Sequence, residues 1–325
     1  MRIVPWTVVA LACVLLGGCP GRGGGTDETG ALDLIVAPDD GTGGIVGAIR
    51  GARRRVLLEI YMLTDDGALD ALVQAHTGGC EVRVLLEPEP YGAESANDAA
   101  FATLAEAGVD VRWATSPGGL VHEKLLVVDD RIAYVMTMNF TAAGLGRNRE
   151  YAIGDRDATD VARAEAIFNA DAVGAPAAGA AGGHVLASPI DARPRLAAAI
   201  DGARASIAIE IEELSDGDMV AHLEDARARG VALDVVTPAS GVSPAMRAAL
   251  GRLVAAGATV TALDSPTIHA KTMVVDGAWL YVGSVNLTRA SLDDNRELGV
   301  LFRDPAAAAR VRATIAADAA HGVRL

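Results

Sequence analysis

Two stretches of the chain repeat one order of apolar and polar positions. RRRVLLEIYMLTD (Arg53 to Asp65) lies over RASIAIEIEELSD (Arg204 to Asp216), EVRVLL (Glu81 to Leu86) over VALDVV (Val231 to Val236), and AEAGVDVRW (Ala105 to Trp113) over VAAGATVTA (Val254 to Ala262). Each apolar run has the length and composition of a strand, and helix-period stretches near 68–76, 96–107, 218–229 and 244–256 separate them. Alternation of this kind predicts α/β layers in which helices cover a largely buried sheet. It occurs twice, so the fold class expected is a tandem pair of α/β/α domains, over 32–172 and 184–325, joined by the Gly- and Ala-rich linker 173–183.

Composition narrows what such a pair could do. The 325 residues suffice for two cores. Lys and Arg number 28 against 42 Asp and Glu, spread along the chain, and aromatics are 4% of residues. A diffuse negative field with few stacking rings makes nucleic acid a less favoured partner. Residues 1–19 have an early Arg and a short apolar run, and Leu16-Gly17-Gly18-Cys19 resembles the bacterial lipoprotein cleavage box. That resemblance implies export, lipidation of Cys19 and attachment to an envelope membrane, with 20–31 as a flexible tether. Cys80 would then be the sole remaining thiol, a packed core residue.

The chemistry is concentrated in two segments, VHEKLLVVDDRIAYVMTMNFT (Val121 to Thr141) and IHAKTMVVDGAWLYVGSVNLT (Ile268 to Thr288). Both contain HxKxxxxD: His122, Lys124 and Asp129, then His269, Lys271 and Asp276. At the same spacing of 147 positions, Thr137 matches Ser284, Asn139 matches Asn286, Arg149 matches Arg296 and Glu150 matches Glu297. Strand alternation puts His and Lys on one face and the Asp on the other, where it would support the turn or backbone. Thr137 and Asn139, also two apart, should face together. A phosphodiester is anionic and resists attack, so its site must neutralise the nonbridging oxygens, which Lys ammonium and Asn amide groups can do. One neutral imidazole can then attack phosphorus while a second, protonated, delivers a proton to the departing alkoxide.

These paired segments, with GSVN at Gly283 to Asn286, resemble the HKD motifs of the phospholipase D superfamily. The resemblance implies a bilobal fold whose motifs meet at a pseudo-twofold axis, a covalent phosphohistidine intermediate, no required metal or other cofactor, and a monomer acting on phospholipid. It implies His122 as nucleophile and His269 as general acid, then general base, with the reverse assignment left open by the residues themselves. It also implies a Glu after each motif that hydrogen-bonds its His, positions matched by Glu150 and Glu297. The first motif departs from the pattern in having Met136-Thr137 where the second has Gly283-Ser284, so Met136 is expected to narrow the pocket.

The other histidines, His76, His184, His222 and His321, have no partner motif and read as ordinary structural residues, as do Glu59 and Glu210. Tyr61 is left open between site and scaffold. Besides a lipid-directed phospholipase D, the sequence is compatible with a nuclease of the same superfamily, a cardiolipin synthase-like transferase, or a noncatalytic envelope binding module. Headgroup, acceptor and the membrane holding the anchor are not encoded in any motif.

Overall fold

The computed structural model describes residues 32–116, 118–176 and 183–325. The expected leader, Cys19 and residues 177–182 of the linker lie outside them. The first sheet contains β1 (Leu32–Ala37), β2 (Arg55–Ile60), β3 (Glu81–Leu86), β4 (Asp110–Trp113), β5 (Lys124–Val128), β6 (Ile132–Met136) and β7 (Glu150–Asp155), in the order β1-β7-β6-β5-β2-β3-β4. The second contains β8 (Val185–Ser188), β9 (Ser206–Ile211), β10 (Ala232–Pro238), β11 (Thr259–Leu263), β12 (Lys271–Val275), β13 (Trp279–Gly283), β14 (Glu297–Arg303) and a short edge strand, β15 (Val323–Arg324). Its order, β15-β11-β10-β9-β12-β13-β14-β8, repeats the first with β15 added. Both sheets are mixed: β2-β3-β4 and β9-β10-β11 run parallel, and the motif strands pair antiparallel.

Helices α1 (Gly43–Gly51), α2 (Asp66–Thr77) and α3 (Asp98–Glu106) belong to the first lobe, followed by the short α4 (Ala142–Gly146) and by α5 (Ala158–Asp171). The second lobe has α6 (Ala192–Gly202), α7 (Gly217–Ala228), α8 (Pro244–Ala255) and α9 (Pro305–His321). The aspartates that end the repeated strand segments set the starts of α2 and α7: Asp65 accepts from the Ala68 N–H and Asp216 from the Met219 N–H.

Three apolar cores result. One lies between the first sheet and α1–α3, and a second between the other sheet and α6–α8. The third is shared by both lobes and gathers residues from the inner faces of the two sheets with α5 and α9. Two buried ion pairs related by the repeat cross it among the described residues. Arg149, preceding β7, donates from Nε and Nη2 to Asp318 of α9 at 2.6 and 3.0 Å; Arg296, preceding β14, donates likewise to Asp171 of α5 at 2.7 and 3.1 Å.

The motif aspartates fasten the hairpins that carry the motif strands. Asp129 and Asp130 have φ of 57° and 59°, and Asp276 and Gly277 have 50° and 63°, the left-handed pair that a tight two-residue hairpin turn requires. Asp129 accepts from the N–H groups of Arg53, Arg54 and Arg55, and Asp276 from those of Arg204, Ala205 and Ser206. Against burial, these backbone donors hold both carboxyls below their usual range.

Candidate active site

The strand order that gives each lobe its sheet also brings the motifs to the lobe boundary. Val121 bridges to Arg296, and Arg149 bridges to Ile268. The His122 N–H donates to the Arg296 carbonyl at 2.8 Å and the His269 N–H to that of Arg149 at 3.3 Å. Each histidine therefore lies beside the residue that follows the other lobe's arginine. His122 Nδ1 is 2.8 Å from Glu297 Oε2, and His269 Nδ1 is 2.8 Å from Glu150 Oε1.

This corrects the expectation that each Glu serves the His of its own motif: the partners are exchanged across the boundary. The physical reason is the pair of interlobe backbone bridges. With Nδ1–H donating to a carboxylate, Nε2 of a neutral ring keeps its lone pair. Thr137 supports the arrangement by donating to Glu150 Oε2 at 2.6 Å while accepting from the Tyr151 N–H. Ser284, its twin, accepts from the Leu298 N–H at 3.0 Å and lies beside Glu297.

Lys124 and Lys271 are fully buried, each donating to the carbonyl of its own motif histidine. Burial, reinforced by the Lys271 ammonium, pushes Lys124 down to about 7. Burial likewise lowers His122, Glu297 opposes it, and Lys124 and Lys271 add to it. Since one lysine acts electrostatically on groups of the other lobe, the two motifs form one site.

The Asn139 amide lines a 340 Å³ cavity together with Glu150, His269, Thr64 and the exposed Arg147. Asn286 accepts from the Glu213 N–H through Oδ1 and donates to Glu212 Oε2 at 3.4 Å. Thr137 and Asn139 thus take different tasks, the first on Glu150 and the second in the cavity.

Met136 does not narrow this site. It is fully buried in the outer core of the first lobe, against Ala152. Its twin Gly283 is required by close approach, because a Cβ there would lie 2.5 Å from the Gly299 Cα and 3.0 Å from the Tyr281 hydroxyl. Glu59 and Glu210 lie away from the histidines, in the arginine clusters. Tyr61 belongs to the site: its ring meets His122 edge-on at 4.6 Å and faces the Lys124 ammonium at 5.2 Å.

Three contributors went unread in the sequence. Glu212 pairs with Lys271 at 2.6 Å and stands 3.7 Å from His269 Nε2. Asp171 and Asp318, which anchor the interlobe arginines, are separated by the same 147 positions as the motifs, a signal available to anyone extending the comparison beyond Glu150. Among the described residues no helix is long and apolar enough to cross a membrane.

The family model described as "Cardiolipin synthase, PLD-like domain" matches residues 45–172 and 196–319. Over 317 residues the chain is 25% identical to a cardiolipin synthase of Oceanobacillus iheyensis, covering 83% of this chain and 64% of that one. Over 132 residues it is 30% identical to cardiolipin synthase B of Salmonella typhimurium, covering 36% and 32% respectively. The chain thus spans less than two thirds of the length of these relatives. Among solved structures, phosphatidylserine synthase of Haemophilus influenzae superposes with a TM-score of 0.70 at 12% identity, covering 91% of this chain and 87% of that one. At that identity the likeness concerns the fold alone.

Proposed function

The chain belongs to the family of cardiolipin synthase, phospholipase D-like domains, and on that footing we propose that it transfers phosphatidyl groups to water or to an alcohol through a histidine-bound intermediate. The observation that carries this reading is the pair of histidines at the lobe boundary, each with Nδ1 tied to a carboxylate of the other lobe.

In this reaction His122 Nε2 attacks phosphorus and the P–O bond to the headgroup alcohol breaks. The departing oxygen takes the proton from His269 Nε2. Neutral His269 then accepts a proton from the incoming water or alcohol, whose oxygen attacks phosphorus as the P–N bond to His122 breaks. Lys124, Lys271, Asn139 and Asn286 bind the nonbridging oxygens; Lys124, although lowered by burial, takes up its proton beside a phosphate anion. Glu150 and Glu297 orient the rings.

Glu87, buried and accepting from the Val121 N–H, and the exposed Glu213 add negative and not positive charge near the motif residues, which favours a lipid diester over nucleic acid. Export and acylation at Cys19 would hold the enzyme at a membrane, raising the effective concentration of lipid.

The test is release of headgroup from mixed vesicles of phosphatidylglycerol, phosphatidylethanolamine and phosphatidylcholine, with plasmid DNA alongside. His122→Ala and His269→Ala should each lower lipid turnover by about 10³-fold. DNA cleavage that depends on both histidines, without lipid turnover, would replace this reading with a nuclease.

A further inference from the structure

One place in the fold is filled in the first lobe and open in the second. In each lobe a strand leads through a helix to a parallel neighbour: β3, α3 and β4 in the first, β10, α8 and β11 in the second. Gly108 and Gly257, with φ of 83° and 86°, follow the two helices in the same way. Counting from them, Phe101 and Trp113 of the first lobe correspond to Leu250 and Ala262 of the second. Strand register agrees. Glu59 and Glu210 are twins, Leu85 and Val236 pair with them, and Arg112 and Thr261, the residues before Trp113 and Ala262, pair with those in turn.

The rings of Phe101 and Trp113 stack at 4.2 Å and 15°, closing the space between α3 and β4. Leu250 and Ala262 leave the matching space as a groove of 390 Å³, whose apolar lining continues through Val242, Val254 and Leu325. Val254, Leu325 and Val323, the last paired with Ala262, are exposed, so the groove opens onto an apolar patch. The strands β9, β10 and β11 run parallel and end on one edge of the sheet, where Glu212 pairs with Lys271 beside His269. The helix α8 starts at that edge, and Arg247, near its start, is the one charged side chain among the described lining residues. From Arg247 the lining runs through Leu250 to Val254, about 10 Å along the helix.

The groove is therefore amphiphilic along its length, with an exposed guanidinium at the cleft edge and hydrocarbon behind it. A second copy of this chain brings the same net charge of −14 and is repelled. A lone phosphate on a hydrocarbon tail complements both ends of the groove. We propose that the groove is a second lipid site, which holds one acyl chain of a lipid ending in a phosphate, with that phosphate at Arg247. The proposal extends the reading of the chain as a phosphatidyl transferase and uses none of its catalytic groups. Stacked rings occupy the matching space of the first lobe, so one such lipid binds outside the cleft.

The experiment titrates alkyl phosphates of six, eight, ten and twelve carbons, each below its micelle-forming concentration, into the full chain by calorimetry, with inorganic phosphate to report the cleft. Affinity should rise about fourfold for each added methylene that the groove buries. Ala262→Trp installs the side chain that the first lobe already accommodates and should abolish the dependence on chain length. Val254→Glu, at an exposed position, should weaken dodecyl phosphate by about 10-fold or more. Arg247→Ala should weaken it by about 10-fold and leave dodecyl maltoside unchanged. Thermal unfolding of each variant verifies its fold, and bis(4-nitrophenyl) phosphate, a diester without an acyl chain, tests the wild-type cleft separately.

An affinity independent of chain length in the wild type overturns the proposal, as does a dependence that survives both Ala262→Trp and Val254→Glu. A concentration-dependent dimer that Ala262→Trp dissolves overturns it too, by making the groove a contact between copies. If the chain-length dependence behaves as expected while the wild-type chain turns over no diester, the lipid site stands and the transferase reading fails. Diester turnover without chain-length dependence has the opposite meaning.

Discussion

Arg149 with Asp318 and Arg296 with Asp171 are twins in position and geometry, yet their surroundings differ. Beside Arg149, the fully buried Glu210 receives a hydrogen bond from the Tyr151 hydroxyl at 2.5 Å. Beside Arg296, Glu59 is equally buried, but the twin of Tyr151 is Leu298, which has no proton to offer. Its neighbour is Glu123, where the second lobe has Ala270. Apart from each other, neither carboxyl of this Glu59–Glu123 pair finds a hydrogen-bond partner among the described residues. Burial and then the Asp171 charge push Glu123 up to about 8, so the pair holds a proton of its own. One lobe satisfies its buried glutamate with a phenol, the other with an acid; the duplicated frame fixes the ion pair and leaves the neutral donor free to change.

Breaking the ion pairs should have the largest effect on stability. Arg149→Met and Arg296→Met should each cost about 3–5 kcal/mol in urea unfolding, because a buried carboxylate loses its partner. Arg296→Met should be the more severe, since Glu59 and Glu123 stand beside Asp171. Combining it with Asp171→Asn should recover part of the loss.

Next come the exchanged carboxylates. Glu150→Gln and Glu297→Gln should each reduce phospholipid turnover by about 10²-fold or more through lost ring orientation. Glu150→Gln should disturb the resonances of His269, in the other lobe, and leave those of His122 in place.

The smallest effect sharpens the comparison most directly. A carboxyl raised in the folded state contributes stability that is fully present below its unfolded value and is lost as pH rises toward the folded one. For Glu123 that window runs from the ordinary carboxyl value of 4.5 up to about 8. Glu123→Gln, neutral throughout, should raise Tm by about 2–4 °C at pH 9 and leave it unchanged at pH 4. Tyr151→Phe should destabilise at neutral pH by about 1–3 kcal/mol, the consequence of an unsatisfied buried Glu210.

Much of this could be read before any coordinates. The motif residues announced themselves because one spacing recurred through His, Lys, Asn and Glu, and the strand runs were legible because buried strands are short and apolar. The exchange of Glu150 and Glu297 was not, since a sequence states which groups a site contains and not which side of a boundary each one reaches. Glu212 stayed hidden for a related reason: its twin is a tyrosine, so no repeat drew attention to it. Met136 was misread because the departure from Gly283 was judged by its nearness to Thr137 in sequence. The side chain instead enters the outer core, as strand alternation allows. Asp171 and Asp318 lie on helices outside the compared segments, where only an extended comparison would have met them.

The exchanged hydrogen bonds also bear on how a duplicated gene can drift. Two copies that each served their own histidine could decay separately, one preserving function while the other accumulated changes. Here Glu150 holds a histidine inherited through the other copy, and Glu297 does the reverse. Neither half offers the other a spare, so selection acts on the pair as a single heritable unit.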